Sequence, residues 1–314
     1  MAVRMVAVDM DGTLLGVDGV VNARTMRAVL AAEAAGVEVV VATGRRHCYA
    51  MRQLRGLGWR EEGVLVSSNG AVVRTVGARL LWRRHMGVDA ARALCGHLGE
   101  FRKALVVTFD RVDPDGEDAR GALVVEDMAE LHGSIERWMV ANEPYIAHVA
   151  QVEEVLAEED PPIQMMVCGT VERMRHAEAR LRELPWVAGV EEESAECRIA
   201  LHRTEYPERN LSILDILPAG CSKGETLREL ARRRGLGAAE VMAIGDNWND
   251  LSMLEWAGWP VLMGNAPEEL LAEAAERRWR LAGRHDEDGV AEVLEGLVAR
   301  QAIEVGAEAT AVSR

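Results

Sequence analysis

Two carboxylates one residue apart, Asp9 and Asp11, stand at the end of a short apolar run and are followed at once by Gly12 and Thr13. Side chains at i and i+2 point the same way only while the chain stays extended, and Gly12 permits the turn that must follow. Two acids converging on one point repel each other unless a cation lies between them, and Mg²⁺ is the natural partner. Taken alone, the same residues also suit a strand that closes in an Asp-Gly turn. Further along, small polar residues recur in similar settings: Thr43-Gly44-Arg45, Ser68-Asn69-Gly70-Ala71, Ser222-Lys223-Gly224 and Gly245-Asp246-x-x-Asn249-Asp250. Thr43-Gly44 offers a hydroxyl and unhindered backbone N–H groups to an oxyanion, although it and Ser68-Asn69-Gly70 serve equally as caps and turns. One hydroxyl, one lysine and several carboxylates are the parts for handling a phosphoryl group. In that reading Mg²⁺ is held by Asp9 and Asp246, while Thr43 and Lys223 contact the phosphoryl oxygens. A calcium loop competes for the Asp246 cluster, but the alternating ligand spacing and distal glutamate of an EF-hand are missing.

Apolar runs and helical periods must position these groups. Residues 6–8 read as a buried strand, 22–35 as a helix stopped by Gly36, and 37–41 as a second strand. A helix carrying Tyr49, Leu54 and Leu57 follows, then a third strand at 64–66. Strands alternating with helices, each strand ending in small polar residues, predict an α/β fold with a doubly wound parallel sheet. After residue 83 the rhythm changes. Helices are expected at 88–101, 126–142 and 171–184, with strands at 104–109, 122–125, 163–167, 187–191, 198–201 and 211–217. None of these strands ends in an Asp, Thr or Lys signature. Residues 84–218 are therefore read as an inserted α+β domain, between core segments 1–83 and 219–302. The first rhythm returns with a helix at 225–234 capped by Ser222, strands at 241–244 and 260–263, and a helix through Ala275. A short strand at 279–282 and a helix at 289–299 close the domain, leaving 303–314 as a loose tail. The acidic stretches 153–160 and 191–196 read as solvated faces.

Composition narrows the class. Against 51 acidic residues there are only 36 basic ones, a net charge of −15 over 314 residues. That balance argues against a nucleic-acid groove and suits a cytosolic enzyme with a bound cation. Five scattered cysteines without Cys-x-x-Cys spacing suggest reduced thiols in a cytoplasm. The opening apolar run is too short for a signal peptide and no stretch approaches a membrane span. Lys103 and Lys223 are the two lysines, every other cation being arginine, so each lysine invites scrutiny.

In this order, Asp9-Met10-Asp11-Gly12-Thr13, Thr43-Gly44-Arg45, Lys223-Gly224 and Gly245-Asp246-x-x-Asn249-Asp250 resemble the haloacid dehalogenase (HAD) superfamily. Ser68-Asn69-Gly70-Ala71, the large insert after it, Met263-x-Asn265-Ala266 and Asp288-Gly289-Val290 resemble its Cof-type sugar-phosphatase branch. The motifs span the core, while the insert matches only by size and position. The resemblance implies a Rossmann-like core under a large C2-type cap that closes over the site and selects the leaving group. It implies Asp9 as the nucleophile forming an aspartyl-phosphate, and Asp11 as general acid and then base. Mg²⁺ would take Asp9, the Asp11 backbone carbonyl and Asp246, with Asp250 supporting the metal site from behind those ligands or through Lys223. Met10, Thr43, Gly44, Asn69, Lys223 and Asn249 would face substrate. The implied protein is a cytoplasmic, Mg²⁺-dependent phosphatase of small phosphorylated metabolites, in particular sugar phosphates. It would work as a monomer or homodimer, without nucleic acid or membrane. Alternatives on the same fold are a phosphomutase and specialised phosphatases of the glycosyl-phosphoglycerate or sucrose-phosphate type. A silent phosphate-binding module is the alternative from another class, though it has no need of both nucleophile and acid. Trp248 falls in a variable slot, either lining the entrance or packing in the core.

Overall fold

A computed structural model of the chain describes residues 2–113, 116–189 and 197–312, with side chains as far as residue 303. The first segment runs β1 (Met5–Val8), α1 (Ala23–Ala34), β2 (Glu38–Ala42), α2 (His47–Leu54), β3 (Val64–Ser67), β4 (Val72–Thr75) and β5 (Leu80–Arg83). The middle continues with α3 (Val88–His97), β6 (Leu105–Thr108), β7 (Leu123–Val125), α4 (Glu136–Asn142) and β8 (Ile146–His148). It then runs through β9 (Gln164–Gly169), α5 (Val171–Leu181), β10 (Val187–Gly189), β11 (Ile199–Tyr206) and β12 (Leu211–Pro218). The last segment holds α6 (Lys223–Arg233), β13 (Val241–Gly245), α7 (Leu251–Trp256), β14 (Trp259–Leu262), α8 (Glu268–Glu276), β15 (Arg280–Leu281) and α9 (Gly289–Val312).

The outer segments share one sheet, in the order β15-β14-β13-β1-β2-β3-β4-β5, parallel from β15 to β3. Alternation along β1 explains its two-sided burial. Val6 and Val8 pack with residues of α1, α2 and α9, whereas Met5 and Ala7 pack with residues of α6, α7 and α8. That is the doubly wound α/β arrangement expected. The middle segment forms a second sheet, β10-β11-β12-β9-β6-β7-β8. Leu105, Val107, Met165 and Leu214 on one face pack with Leu94 of α3 and Met174 of α5. The other face turns toward the carboxyl edge of the first sheet, and a cavity lies between them.

Several bonds tie the two sheets together. Arg74 and Arg83 of the β4–β5 hairpin both reach Asp110 at 2.8 Å. Arg46, buried before α2, pairs with Asp118 and donates to Asn142. Asn247 donates through Nδ2 to the Glu205 carbonyl at 2.9 Å and accepts the Glu205 N–H at 3.1 Å.

Some expectations fail for local reasons. The β4–β5 hairpin is unforeseen; three successive positive φ values at Ser68, Asn69 and Gly70 turn the chain back so that β4 pairs antiparallel with β3. Strand β8 is also unforeseen, being only three residues long. Instead of a helix over 126–142, only Glu136–Asn142 is α-helical. The Asp127 side chain accepts the N–H groups of Met128 and Ala129, and His132 accepts that of Ser134. Local side-chain bonds of this kind compete with helix formation. Helix α9 runs to Val312, not to 299, so the tail expected to be loose is helical over its described residues. Ala302, Glu304, Ala307, Glu308 and Ala309 are strong helix formers and no proline stops them. The acidic stretch 191–196 and the end of the 187–191 strand lie outside the described residues. No helix among the described residues is long and apolar enough to cross a membrane, and all five cysteines are free.

Candidate active site

Asp9 follows β1 directly, and a wide turn closes behind it, with Leu14 N–H donating to the Asp9 carbonyl and Leu15 N–H to that of Met10. Gly12 sits in this turn at φ 80°, and a Cβ there would lie 2.3 Å from Asp246 Oδ2. Both the conformation and the space therefore require glycine. Next to β1, β13 ends at Gly245 and delivers Asp246. Asp246 Oδ1 accepts from the Thr13 hydroxyl at 3.2 Å and Oδ2 from Asn265 Nδ2 at 3.2 Å. Asn265 also donates to the Gly12 carbonyl at 2.8 Å, clipping the turn to the loop after β14.

Lys223 opens α6, whose N-cap Ser222 accepts the Glu225 N–H at 2.9 Å. Its ammonium is fully buried and donates to Asp9 Oδ1 at 2.5 Å and to Asp250 Oδ1 at 2.7 Å. The other oxygen of Asp250 accepts the N–H groups of Asp246 and Asn247 at 2.9 and 3.1 Å. Both oxygens of Asp250 are thus occupied, and it braces the loop and the lysine.

Asp9, Asp246 and Asp250 bring carboxylate oxygens within 4.8 Å of one another. Burial above all, then the charge of Asp250, pushes the Asp9 carboxyl up to about 7, with Lys223 opposing. Burial, then Asp9 and Asp250, pushes Asp246 well above the carboxylate range. Burial works against the Lys223 charge, but Asp250 and Asp9 outweigh it and raise its pKa. One ammonium does not balance three buried carboxylates. A small, hard divalent cation suits this all-oxygen donor set and the space that Gly12 keeps free.

Asp11 is not part of that cluster. Its side chain is 40% exposed and held by the fork of Arg45, Nε on Oδ2 at 2.7 Å and Nη2 on Oδ1 at 2.6 Å. The Asp11 side chain is therefore not placed beside Asp9 and Asp246 as a metal ligand. The Met10 side chain is wholly buried in the core, which leaves only its backbone for the site. Thr43 is buried, and its hydroxyl accepts the Arg45 N–H at 3.1 Å. Gly44 lies against Asn69, 3.2 Å from its amide nitrogen if a Cβ were added.

Asn69 differs most from the substrate contact expected. Its Nδ2 donates to Asp215 Oδ2 at 2.7 Å and its Oδ1 accepts from Asn249 Nδ2 at 3.1 Å. It links the two sheets. Asn249 still lines the cavity, together with Asp9, Asp11, Gly44 and Arg45. Trp248 does not line it and packs against the core.

The cavity measures about 300 Å³, within the range of small-molecule sites. Residues with no role assigned from the sequence join it: Arg45, Gln164 and Asp215. Asp215 Oδ1 accepts from Gln164 Nε2 at 2.5 Å. Burial pushes its carboxyl up to about 7, with Gln164, Asn69 and Lys223 pulling it down. A lone acid inside the apolar run Leu211-Ser212-Ile213-Leu214-Asp215-Ile216-Leu217 was the available signal.

Residues 6–294 match the family model of haloacid dehalogenase-like hydrolases. The chain belongs to that family, and it is a phosphatase. Among curated relatives, it is 27% identical over 309 residues to the 5-amino-6-(5-phospho-D-ribitylamino)uracil phosphatase YwtE of Bacillus subtilis, covering 95% of this chain and 99% of that one. It is 28% identical over 320 residues to phosphatase YwpJ of the same organism, covering 94% and 100%. Among solved structures, the HAD subclass IIB sugar phosphatase BT4131 superposes with a TM-score of 0.68 at 23% identity, over 94% of this chain and 99% of that one.

Proposed function

We propose that the chain is a Mg²⁺-dependent phosphatase of small phosphorylated metabolites, sugar phosphates in particular, acting through an aspartyl-phosphate at Asp9. The observation that carries this reading is the division of labour between the two leading acids. Asp9 is buried against Lys223 in a metal-suited cluster, whereas Asp11 stands half-exposed on the cavity side. A site that only bound phosphate would have no use for that second acid.

Asp9 and Asp246, with the Asp11 backbone carbonyl, would hold the ion, and Asp250 would hold Lys223 and the Asp246 loop. Bound Mg²⁺ supplies positive charge that offsets the repulsion between a carboxylate and a phosphate dianion. The Asp9 carboxylate forms the new bond to phosphorus as the bond to the substrate alkoxide breaks. Lys223 steadies Asp9 and the charge spread over the phosphoryl oxygens. Asp11 delivers a proton to the departing oxygen, then takes one from the water that cleaves the aspartyl-phosphate. The second sheet roofs the site and limits solvent entry.

Phosphate release from p-nitrophenyl phosphate and from a panel of sugar phosphates tests this. EDTA should abolish release and Mg²⁺ restore it, with Ca²⁺ a poor substitute because it tolerates longer bonds and extra ligands. Return of the phosphoryl group to another sugar hydroxyl would mark a mutase instead. Metal-independent release would end the reading.

A further inference from the structure

The loop that follows β13 faces two ways. Its acids turn into the core: Asp246 joins Asp9 and Asp250 in the carboxylate cluster, and Asp250 holds Lys223. Its asparagines turn toward the second sheet. Asn247 Nδ2 donates to the Glu205 carbonyl at 2.9 Å, and its Oδ1 accepts the N–H groups of Glu205 at 3.1 Å and of Trp248 at 2.9 Å. Asn249 reaches Asp215 of β12 through Asn69. Strand β11 depends on the first of these contacts. β10 pairs with Ile199–Leu201 alone, so beyond them, among the described residues, β11 has a strand on one side only. Glu205 lies in this open stretch and is buried. Its outward N–H and carbonyl would be costly if left unpaired. A carboxamide offers a donor and an acceptor as a peptide group does, and that of Asn247 closes the rung as a third strand would.

We infer that Asn247 is a positioning residue that couples the seating of the second sheet to cation binding at Asp246: docked on β11, it keeps the loop in the shape the ion requires. The inference rests on the metal-dependent reading of the site and says how that site is held in shape. Asp246 and Asn247 are consecutive, and Asp250 Oδ2 accepts both their N–H groups, so a shift of one moves the other. Mg²⁺ is exacting about ligand placement, and groups that orient its ligands from behind change affinity by about 10–100-fold. Linkage runs both ways. A seated sheet raises the affinity for the ion, and the ion favours the seated sheet by the same factor.

Hydrogen exchange and calorimetric Mg²⁺ titration of the whole protein provide the test. Mg²⁺ should slow amide exchange in Ile199–Tyr206 more than in α3, which packs on the opposite face of that sheet, although β11 supplies no ligand. Asn247→Ser keeps an acceptor for the Trp248 N–H but is too short to pair with Glu205. It should weaken Mg²⁺ binding by about tenfold and remove the extra protection of β11 even at saturating Mg²⁺. Its phosphatase activity should return toward the parent's kcat as Mg²⁺ is raised. A parent in which Mg²⁺ slows β11 no more than α3 would overturn the inference before any variant is made. Equal Mg²⁺ affinity in Asn247→Ser and the parent would overturn it too, as would a loss of kcat that excess Mg²⁺ does not restore. The metal-dependent reading would survive each of those results. A parent with no saturable Mg²⁺ binding would instead sink that reading, and the inference with it.

Discussion

On the core side of the cavity the buried charges answer one another: Lys223 bridges Asp9 and Asp250, and Asp250 also caps the Asp246 loop. On the cap side apolar and polar residues are mixed, Arg137 and Arg209 among them, and Asp215, its buried carboxylate, is held by two neutral amides. In the proposed reading the first wall is preorganised for developing charge and would fix what is done to a phosphoryl group. The second contributes shape and polar contacts, and in the proposed reading it would govern what the phosphoryl group is attached to. Substitutions on the two sides should therefore fail differently, by lost turnover in the core and by changed preference in the cap.

The largest effect is expected at Asp9. Asp9→Asn removes the proposed nucleophile and one metal-holding oxygen together, so multiple turnover should vanish for every ester while the melting temperature changes little. Substantial phosphate release by the purified variant would place the nucleophile elsewhere.

Lys223 comes next. Its ammonium fits between two carboxylates with no exposed surface, and the broad planar guanidinium of arginine has no room there. Lys223→Arg should fail nearly as badly as Lys223→Ala, losing roughly 2.7–4 kcal/mol of transition-state stabilisation, or about 10²–10³ in kcat. Lys103, exposed on the cap, is the control, and Lys103→Arg should leave kcat unchanged. Near-native kinetics for Lys223→Arg would break the contrast between a charge-specific wall and a permissive one.

The same contrast explains what could be read from the sequence. Asp9, Asp11 and Gly12 are contiguous because one strand end and one turn place them, and Asp246 and Asp250 share a single loop. The parallel sheet was legible for the same reason, each strand announcing itself by an apolar run and a polar end. The cap wall is assembled from alternate residues of separate strands, Val106, Met166, Ile213 and Asp215, whose proximity depends on register rather than on spacing. Asn69 was legible as a site position but not as a link to Asp215, since its partner lies 146 residues away. Arg45 was visible in its motif, yet its hold on Asp11 depends on how two strand ends face each other.

Arg45 lies on the border between the two walls and should have an intermediate effect. Its fork fixes the orientation of the proposed acid, and the ring of Tyr49 lies 4.8 Å from its guanidinium carbon. Arg45→Met keeps much of the side-chain bulk and frees Asp11. We expect kcat to fall by about tenfold for an alkyl phosphate, within the range of general acid contributions. The fall should be smaller for p-nitrophenyl phosphate, whose leaving group needs no proton. Equal losses for both esters would mean that Arg45 acts on binding rather than on the acid.

The smallest effect concerns stability and tests the cap wall alone. The Asp215 carboxyl, at about 7 in the folded protein against 3.8 for an ordinary aspartate, is raised first by burial. A folded-state value above the unfolded one means that the folded protein binds the extra proton between those limits. Stability from this group is therefore fullest below pH 4, declines as pH rises, and is lost by the time pH passes 7. Asp215→Asn removes the titration but also leaves one amide donor facing another, a penalty that does not vary with pH. Comparing the two proteins at pH 5 and pH 8 cancels that constant, along with titrations common to both, such as that of His202, lowered by burial to about 4. Across this window the variant should gain about 2–3 kcal/mol relative to the parent. Thermal melts at the two pH values should show the gap shifting by several degrees toward the variant. A gap independent of pH would mean that Asp215 is stabilised as a carboxylate in the fold. The cap wall would then hold charge as the core wall does, and the distinction between them would fall.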